Sequence, residues 1–181
     1  MKWFRKSSVE PLPVAMSGLK LGDRLLVIGC SDPLLIAALA GKVGLTGRAC
    51  AVDASPEKAN DARVIAEREG ALIESATAPG WVVPFAEGDF DVTVVRGAFA
   101  ETGQAAGTSI SEAHRVLRPG GRCVVMAGEG RRGLSSLVVG GSASADDQAI
   151  ATALSAAGFV AVRTLAQREG MTFVEGVKKN Q

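Results

Sequence analysis

A glycine and an acid occupy the two positions of this chain that are best suited to binding a nucleotide-like ligand. Gly29 directly follows the apolar run 25–28, and Asp53 closes the next apolar run along the chain. In an α/β sheet, the turn after one strand lets a ligand lie against backbone, and an acid after the next strand accepts hydrogen bonds from ribose hydroxyls. This arrangement predicts a pocket for an adenosine-containing cofactor.

The turn that would hold this cofactor has an unusual composition. Where a glycine-rich turn would offer three small residues, the chain has Gly29, Ser31 and Pro33. Ser31 or Asp32 can cap a helix that begins at Pro33, because proline in a first helical turn leaves no N–H unpaired. We therefore expect a strand, a short turn and a helix, with less open space than three glycines would leave.

The composition predicts one domain. The 181 residues include 47% hydrophobic residues, enough for a buried core, and the net charge of +1 argues against a dedicated nucleic-acid binder. Three cysteines, Cys30, Cys50 and Cys123, lack the spacing of metal ligands, and their odd number is typical of reduced thiols in the cytoplasm. We expect a cytoplasmic protein that binds neither a metal nor nucleic acid.

The start of the chain is predicted to be a flexible segment over residues 1–17, ahead of a domain over residues 18–179. It begins MKWFRKSS, with three basic and two aromatic residues, but no apolar stretch long enough for a signal peptide or a membrane span follows. Pro11 and Pro13 limit how much of this segment can be helical.

Strand-like and helix-like runs alternate along the domain, which predicts a parallel sheet covered by helices. Strands are predicted at 24–28, 49–52, 71–73, 90–95 and 122–126, and helices at 33–43, 56–70, 109–117 and 146–157. Ser109 and Glu112 have the spacing of a capping box. Residues 128–145 contain five glycines and four serines and predict a loop. The runs 159–165 and 171–177 predict a closing hairpin that adds one antiparallel strand.

Two segments, PFAEGDFDVTVV at 84–95 and SEAHRVLRPGGRCVVM at 111–126, resemble the class I S-adenosylmethionine-dependent methyltransferases of the type 11 pattern. The likeness extends from about Gly18 to Lys178. It implies a Rossmann-like α/β fold with a seven-stranded, mostly parallel sheet, helices on both faces and an antiparallel strand in the C-terminal hairpin. It also implies S-adenosylmethionine as the cofactor, lying over the carboxyl ends of the first two strands.

The resemblance assigns cofactor contacts to particular positions. Gly29 matches the first glycine of the cofactor loop, Asp53 matches the ribose-binding acid, and Ala54 lies where the adenine face is contacted. Trp81 and Phe85 are placed to flank adenine, or to fill the core beneath the turn. The full set of expected cofactor-binding residues is Gly29, Cys30, Ser31, Asp53, Ala54, Gly80, Trp81 and Arg96.

The chain departs from the family pattern at several polar positions. Val27 replaces an acid, Ser31 and Pro33 replace the second and third glycines, and Pro79 replaces an acid expected near the adenine amino group. Each departure removes a polar contact or narrows the site. Asp32 places a negative charge near the expected methionine carboxylate, which is unfavourable unless Asp32 turns away to cap the helix.

The loop 96–102 follows the fourth predicted strand and forms the expected substrate edge, because open α/β sheets bind ligands beyond the carboxyl ends of their strands. Within it, Glu101 is the candidate catalytic base and Arg96 a candidate anion partner, the alternative being that both are solvated loop residues. For His114, the single histidine, a structural or exposed role is favoured.

Two functions are compatible with these residues. The first is methyl transfer from S-adenosylmethionine to a small-molecule acceptor. The alternative is a catalytically inactive methyltransferase-like subunit that binds or assembles with a protein partner. A dehydrogenase is disfavoured, because the chain has no Gly-x-Gly-x-x-Gly motif.

Overall fold

The strands at the centre of the sheet are mostly apolar and buried, as expected when helices cover both faces of a sheet. The computed structural model describes residues 10–96, 103–128 and 143–180. Its strands are β1 Arg24–Ile28, β2 Arg48–Asp53, β3 Glu74–Thr77, β4 Phe90–Arg96, β5 Leu117–Ala127, β6 Phe159–Arg168 and β7 Met171–Lys178. Its helices are α1 Leu12–Ser17, α2 Pro33–Val43, α3 Pro56–Arg68, α4 Gly103–Val116 and α5 Ala143–Ala156, with a short 3₁₀ turn at Pro79–Trp81.

All seven strands form one sheet in the order β3-β2-β1-β4-β5-β7-β6. Strands β1 to β5 pair in parallel, whereas β7 runs antiparallel to both of its neighbours, β5 and β6. The expected Rossmann-like sheet with an antiparallel strand in the C-terminal hairpin is confirmed.

The core lies on both faces of this sheet. Leu25 and Val27 of β1 point into the cluster that includes residues of α2 and α3, whereas Leu26 and Ile28 point into the cluster that includes residues of α4 and α5. This alternation follows from the two-residue period of a strand. It explains why β1 has no polar side chain between Leu25 and Ile28.

Several element boundaries differ from the sequence prediction. Strand β5 begins at Leu117 rather than at 122, β6 extends to Arg168, and α5 begins at Ala143, within the predicted loop. The strand expected at 71–73 begins instead at Glu74, because the N–H of Ala71 still bonds the carbonyl of Ala66 and so completes the end of α3. Helix α4 begins at Gly103, which places Ser109 inside the helix, where it is buried. The capping-box prediction was therefore wrong.

The segment predicted to be flexible contains a short helix. Residues 12–17 form α1, which buries Val14 and packs against α2. Pro13 lies in the first turn of α1, where a missing N–H breaks no helical bond. Residues 1–9 and most of the predicted loop 128–145 lie outside the described residues. No helix within the described ranges is long and apolar enough to cross a membrane.

Candidate functional site

Strand register brings three of the predicted site residues to one edge of the sheet. Ile28 of β1 pairs with Val52 of β2 and with Val95 of β4. The residues that follow, Gly29, Asp53 and Arg96, therefore lie side by side at the carboxyl ends of neighbouring strands. Because the strand order reverses between β1 and β4, a ligand-binding crevice is expected at this place.

Gly29 is required here by the close approach of two chain segments. Its φ angle is +102°, and a Cβ atom at this position would lie 1.6 Å from the carbonyl oxygen of Arg96. Its N–H donates to the carbonyl of Val52 at 2.8 Å. No side chain fits between these backbones, so glycine at this position is a requirement of the fold as well as of an expected ligand.

Asp53 connects the loop after β1 to the end of β2. Its side chain is only 3% exposed; Oδ2 accepts the N–H of Cys30 at 2.7 Å, and Oδ1 accepts the N–H of Ser55 at 2.9 Å. A carboxylate offers about four acceptor positions, so each oxygen retains one for a ligand hydroxyl. The sequence pointed to the ribose role of Asp53 but carried no signal for its bond to the Cys30 backbone.

The residues beside Asp53 contribute mainly backbone to this edge. Cys30 is buried, and that burial, reinforced by the nearby negative charge of Asp53 and opposed by Lys58, raises the pKa of its thiol to about 12. The thiol is therefore neutral at physiological pH, and the part of Cys30 that meets Asp53 is its N–H. Ser31 is exposed, and Ala54 is half-buried against the core.

The 3₁₀ turn over 79–81 lies beside the end of β2. The N–H of Ala78 donates to the carbonyl of Asp53 at 2.8 Å, which fixes the position of the turn. Gly80 is exposed with φ +62°, whereas Trp81 has φ +64° and is 5% exposed within the core. Trp81 therefore presents little side-chain surface to a ligand, which agrees with the alternative that it fills the core. Its contact with adenine stays a prediction.

Two charged residues of α4, which lies in the second family-like segment, hydrogen-bond to the backbone at and just before the start of the first segment. Glu112 Oε2 accepts the N–H of Val83 at 2.9 Å, and Arg115 donates to the carbonyls of Phe85 and Val83 at 2.8 and 3.0 Å. Arg115 also donates to Glu112 Oε1 at 2.7 Å. The conformation of residues 83–85 therefore depends on α4, a relation the sequence analysis missed.

We expect acid to weaken the fold through Glu112. The hydrogen bond from Arg115 lowers the pKa of Glu112, while burial opposes this shift. A lowered pKa in the folded state contributes stability that is present above the unfolded pKa, about 4.3, and is lost as pH falls through the folded pKa. Glu112→Gln should reduce the free energy of unfolding by about 1–3 kcal/mol at pH 7. This deficit should shrink near pH 3.

Urea unfolding of both proteins from pH 7 to pH 3 measures this effect. The matched control is Glu67→Gln, which removes a half-exposed carboxylate paired with Arg63 on the surface of α3. It should change stability by no more than about 0.5 kcal/mol. If Glu112→Gln lowers the free energy of unfolding by the same amount at pH 7 and at pH 3, the ionisation of Glu112 does not stabilise the fold.

Arg96 lies at the end of β4 with its side chain 13% exposed. Its Nη2 donates to Asp32 Oδ2 at 3.4 Å, while Nε and Nη1 are buried and have no hydrogen-bond partner among the described residues. Asp32 Oδ1 also accepts the N–H of Leu35 at 3.1 Å, so Asp32 caps α2 as the sequence suggested. Buried guanidinium donors without partners fit the anionic group of a ligand.

The remaining candidates fall outside this edge or outside the described residues. Glu101, the expected base, is not among the described residues. His114 packs edge to face against Phe159 with ring centroids 4.9 Å apart, and burial together with the charge of Lys178 lowers its pKa. A ring in this position contributes to packing.

A family model described as a methyltransferase domain matches residues 26–125, more than half of the chain. The chain belongs to this methyltransferase family. The matched range includes most of β1 and of β5 and all of β2, β3 and β4, and with them every described residue of the candidate edge. The family resemblance inferred from the two sequence segments is thereby confirmed. No curated protein matches.

Solved structures with the same fold align with almost the whole length of this chain. An S-adenosylmethionine-dependent methyltransferase from Aquifex aeolicus is 20% identical, with 91% of this chain and 87% of that chain covered and a TM-score of 0.73. The [4+2]-cyclase SpnF is 17% identical, with 93% and 79% covered and a TM-score of 0.69.

A third similar structure is a complex between the Haloferax volcanii Trm112 methyltransferase activator and a putative methyltransferase. It is 14% identical, with 93% of this chain and 87% of that chain covered and a TM-score of 0.65. At these identities the likeness is evidence for the fold, and activity has to be argued from the site itself.

Proposed function

We propose that this methyltransferase-family protein transfers a methyl group from S-adenosylmethionine to a small-molecule acceptor. The observation that carries the proposal is the position of Asp53, whose buried carboxylate holds the backbone of the loop after β1 at the crevice between β1 and β4. Family membership supports methyl transfer as the class of reaction.

The residues of the carboxyl edge fit the parts of this cofactor. The free acceptor positions of Asp53 suit the ribose hydroxyls, and the loop of Gly29, Cys30 and Ser31 offers backbone along the ligand. Ala54, Gly80 and Trp81 would surround the adenine, chiefly with small groups and backbone. The guanidinium group of Arg96 suits the carboxylate at the other end of the cofactor, because two of its nitrogens are buried and have no hydrogen-bond partner among the described residues.

The protein has little covalent chemistry to perform in this reaction. The bound cofactor supplies a methyl group that its sulfonium already activates. In the transfer, the acceptor's nucleophilic atom would form the new bond to the methyl carbon, and sulfur would keep the electron pair of the broken carbon–sulfur bond. Positioning the acceptor in line can therefore supply much of the rate. A base such as Glu101 is needed only when the acceptor must also lose a proton.

Two departures from the family pattern, at Val27 and Pro33, support the alternative of an inactive subunit that binds a protein partner. Val27, at the position of the expected acid, is 1% exposed within the core, and Pro33 begins α2 without an N–H to donate. The Haloferax volcanii structure is one case of this fold in complex with an activator protein.

Calorimetric titration with S-adenosylmethionine and S-adenosylhomocysteine separates the two functions. We expect binding in the micromolar range, unchanged in Glu67→Gln, because that carboxylate lies on the surface of α3 and pairs with Arg63. A screen for transfer of labelled methyl groups to small molecules should then identify an acceptor. No binding at millimolar ligand by a protein with a cooperative unfolding transition would overturn the proposal and favour the inactive subunit.

A further inference from the structure

We propose that a cavity at the edge of the sheet opposite Gly29 and Asp53 binds a small soluble ligand that carries a phosphate monoester group. The cavity has a volume of about 370 Å³ and lies where the amino ends of β1 and β4 meet β5 and the second half of β7. None of the expected cofactor-binding residues lines it. The inference therefore goes beyond the proposed function and does not depend on S-adenosylmethionine binding.

Chain topology brings basic side chains from distant parts of the sequence to this cavity. Lys20 comes from the turn before β1, whereas Arg118 and Arg122 belong to β5. Arg163 of β6 lies opposite Glu175 of β7 in the antiparallel pair and lines the cavity with it. Because these residues are up to 143 positions apart, the sequence carries no local pattern for this site.

The acidic side chains of the cavity are already paired within the protein. Asp91 accepts the backbone N–H of Arg24 at 2.8 Å and also pairs with the side chains of Arg24 and Arg118. Glu175 has a side chain that is only 6% exposed, and its Oε1 accepts Nε of Arg163 at 2.6 Å. Since each carboxylate is neutralised by an arginine, neither acid leaves an unbalanced negative charge to repel an anion.

The basic side chains, by contrast, keep donors that no acceptor among the described residues uses. Lys20 donates its backbone N–H to Asp23 at 2.8 Å, but its exposed ammonium group forms no ion pair in the described part of the chain. Arg118 binds Asp91 through Nε and the carbonyl of Pro119 through Nη1, at 3.2 Å for the latter. Its Nη2 is left for a ligand.

Arg122 is held in place by backbone groups and has no close carboxylate. Its Nη2 donates to the carbonyls of Ser17 and Gly18 at 3.1 and 2.7 Å, an approach that a Cβ atom at Gly18 would block. Its Nη1 lies 3.8 Å from Glu175 Oε2, too far for a hydrogen bond, and its Nε is buried without a partner among the described residues. A fixed guanidinium with unused donors favours an anion beside it.

The arrangement of these donors suits phosphate. They come from separate backbone positions and combine the point charge of Lys20 with the guanidinium groups of Arg118 and Arg122. A phosphate monoester presents three strong acceptor oxygens and about 1.5–2 negative charges at pH 7, whereas a carboxylate presents two oxygens in one plane. The volume lies within the range of small-molecule sites, about 300–1,000 Å³, which leaves space for a small organic body beside the phosphate.

Titration of the full ¹⁵N-labelled chain with glycerol 3-phosphate at constant ionic strength tests the site by NMR. We expect saturable shifts of the amide signals of Gly18 and Gly120, which line the cavity, with half-saturation in the low millimolar range or below. The amide of Gly29, at the opposite edge of the sheet, should not shift. Glycerol, which has the same body without the phosphate, should shift none of these signals.

Variants of the cavity should weaken this binding. Lys20→Gln and Arg118→Gln should each raise the dissociation constant about tenfold, as expected when a charged donor is lost. Lys20→Gln leaves the backbone bond to Asp23 intact and should therefore fold. Arg63→Gln is the matched control, because Arg63 is also a half-exposed arginine in a surface ion pair, and it should change the affinity by no more than about twofold.

Several results would overturn the site. These are the absence of saturable shifts at Gly18 and Gly120, shifts centred on Gly29 instead, and equal affinities of Arg118→Gln and Arg63→Gln. Vesicles with phosphatidic acid present the same monoester on a membrane, so tighter binding to them than to glycerol 3-phosphate would overturn the small soluble ligand. The S-adenosylhomocysteine titration reports on the other edge of the sheet, so either proposal can fail without the other.

Discussion

Replacement of Gly29 by alanine is expected to reduce the free energy of unfolding by about 3–5 kcal/mol, the sum of backbone strain and overpacking. The added Cβ atom would lie 1.6 Å from the carbonyl oxygen of Arg96, and the φ angle of +102° is one that alanine rarely adopts. Relief requires β1 and β4 to move apart. Because both strands are central in the sheet, the strain would spread to both faces of the core.

Urea unfolding of Gly29→Ala measures this loss of stability, and Gly41→Ala, the same substitution at an exposed position, is the control. Gly41 lies on the exposed side of α2, and a Cβ atom there would meet nothing within 4 Å. Its replacement should stabilise the protein by about 0.5–1 kcal/mol, because alanine favours the helix. Equal stability of the two variants would show that β1 and β4 are not in this close contact.

Replacement of Asp53 by alanine is expected to weaken both the fold and the cofactor site. Two N–H groups, of Cys30 and Ser55, would lose their acceptor at a place that is almost completely buried. The free energy of unfolding should fall by about 2–4 kcal/mol, and binding of S-adenosylhomocysteine should weaken by at least about 1 kcal/mol. The larger stability effect means that binding has to be measured where the variant is still folded.

Asp53→Asn is the control variant, because asparagine has the same size as aspartate but carries no charge. Its amide oxygen can accept one of the two N–H groups, but its NH₂ group would face the other donor, so its stability should lie between those of the alanine variant and the unmodified protein. Unfolding curves and calorimetric titrations of all three proteins test this order. An alanine variant with unchanged stability would contradict the structural role, and one with unchanged affinity would contradict the ribose contact.

The positions of the central strands and of α2 and α3 could be predicted from sequence because their signals are local. A continuous apolar run identifies β1, and Asp32 or Ser55 followed by proline marks the start of a helix. Prediction was poorer where a residue serves a distant partner. Glu112 suggested a helix cap by its spacing from Ser109, yet its carboxylate binds Val83, at a separation that no local pattern reveals.

The sequence by itself determined the family, the alternation of strands and helices, and the presence of Gly29 and Asp53 at the ends of neighbouring strands. Only the tertiary structure decided what these residues touch: the Asp53 carboxylate on the Cys30 backbone, Arg96 beside Asp32, and Arg115 on the turn at Phe85. The physical reason is that strand propensity and helix caps act within a few residues. Each of these contacts instead depends on the register and order of strands that are far apart in the chain.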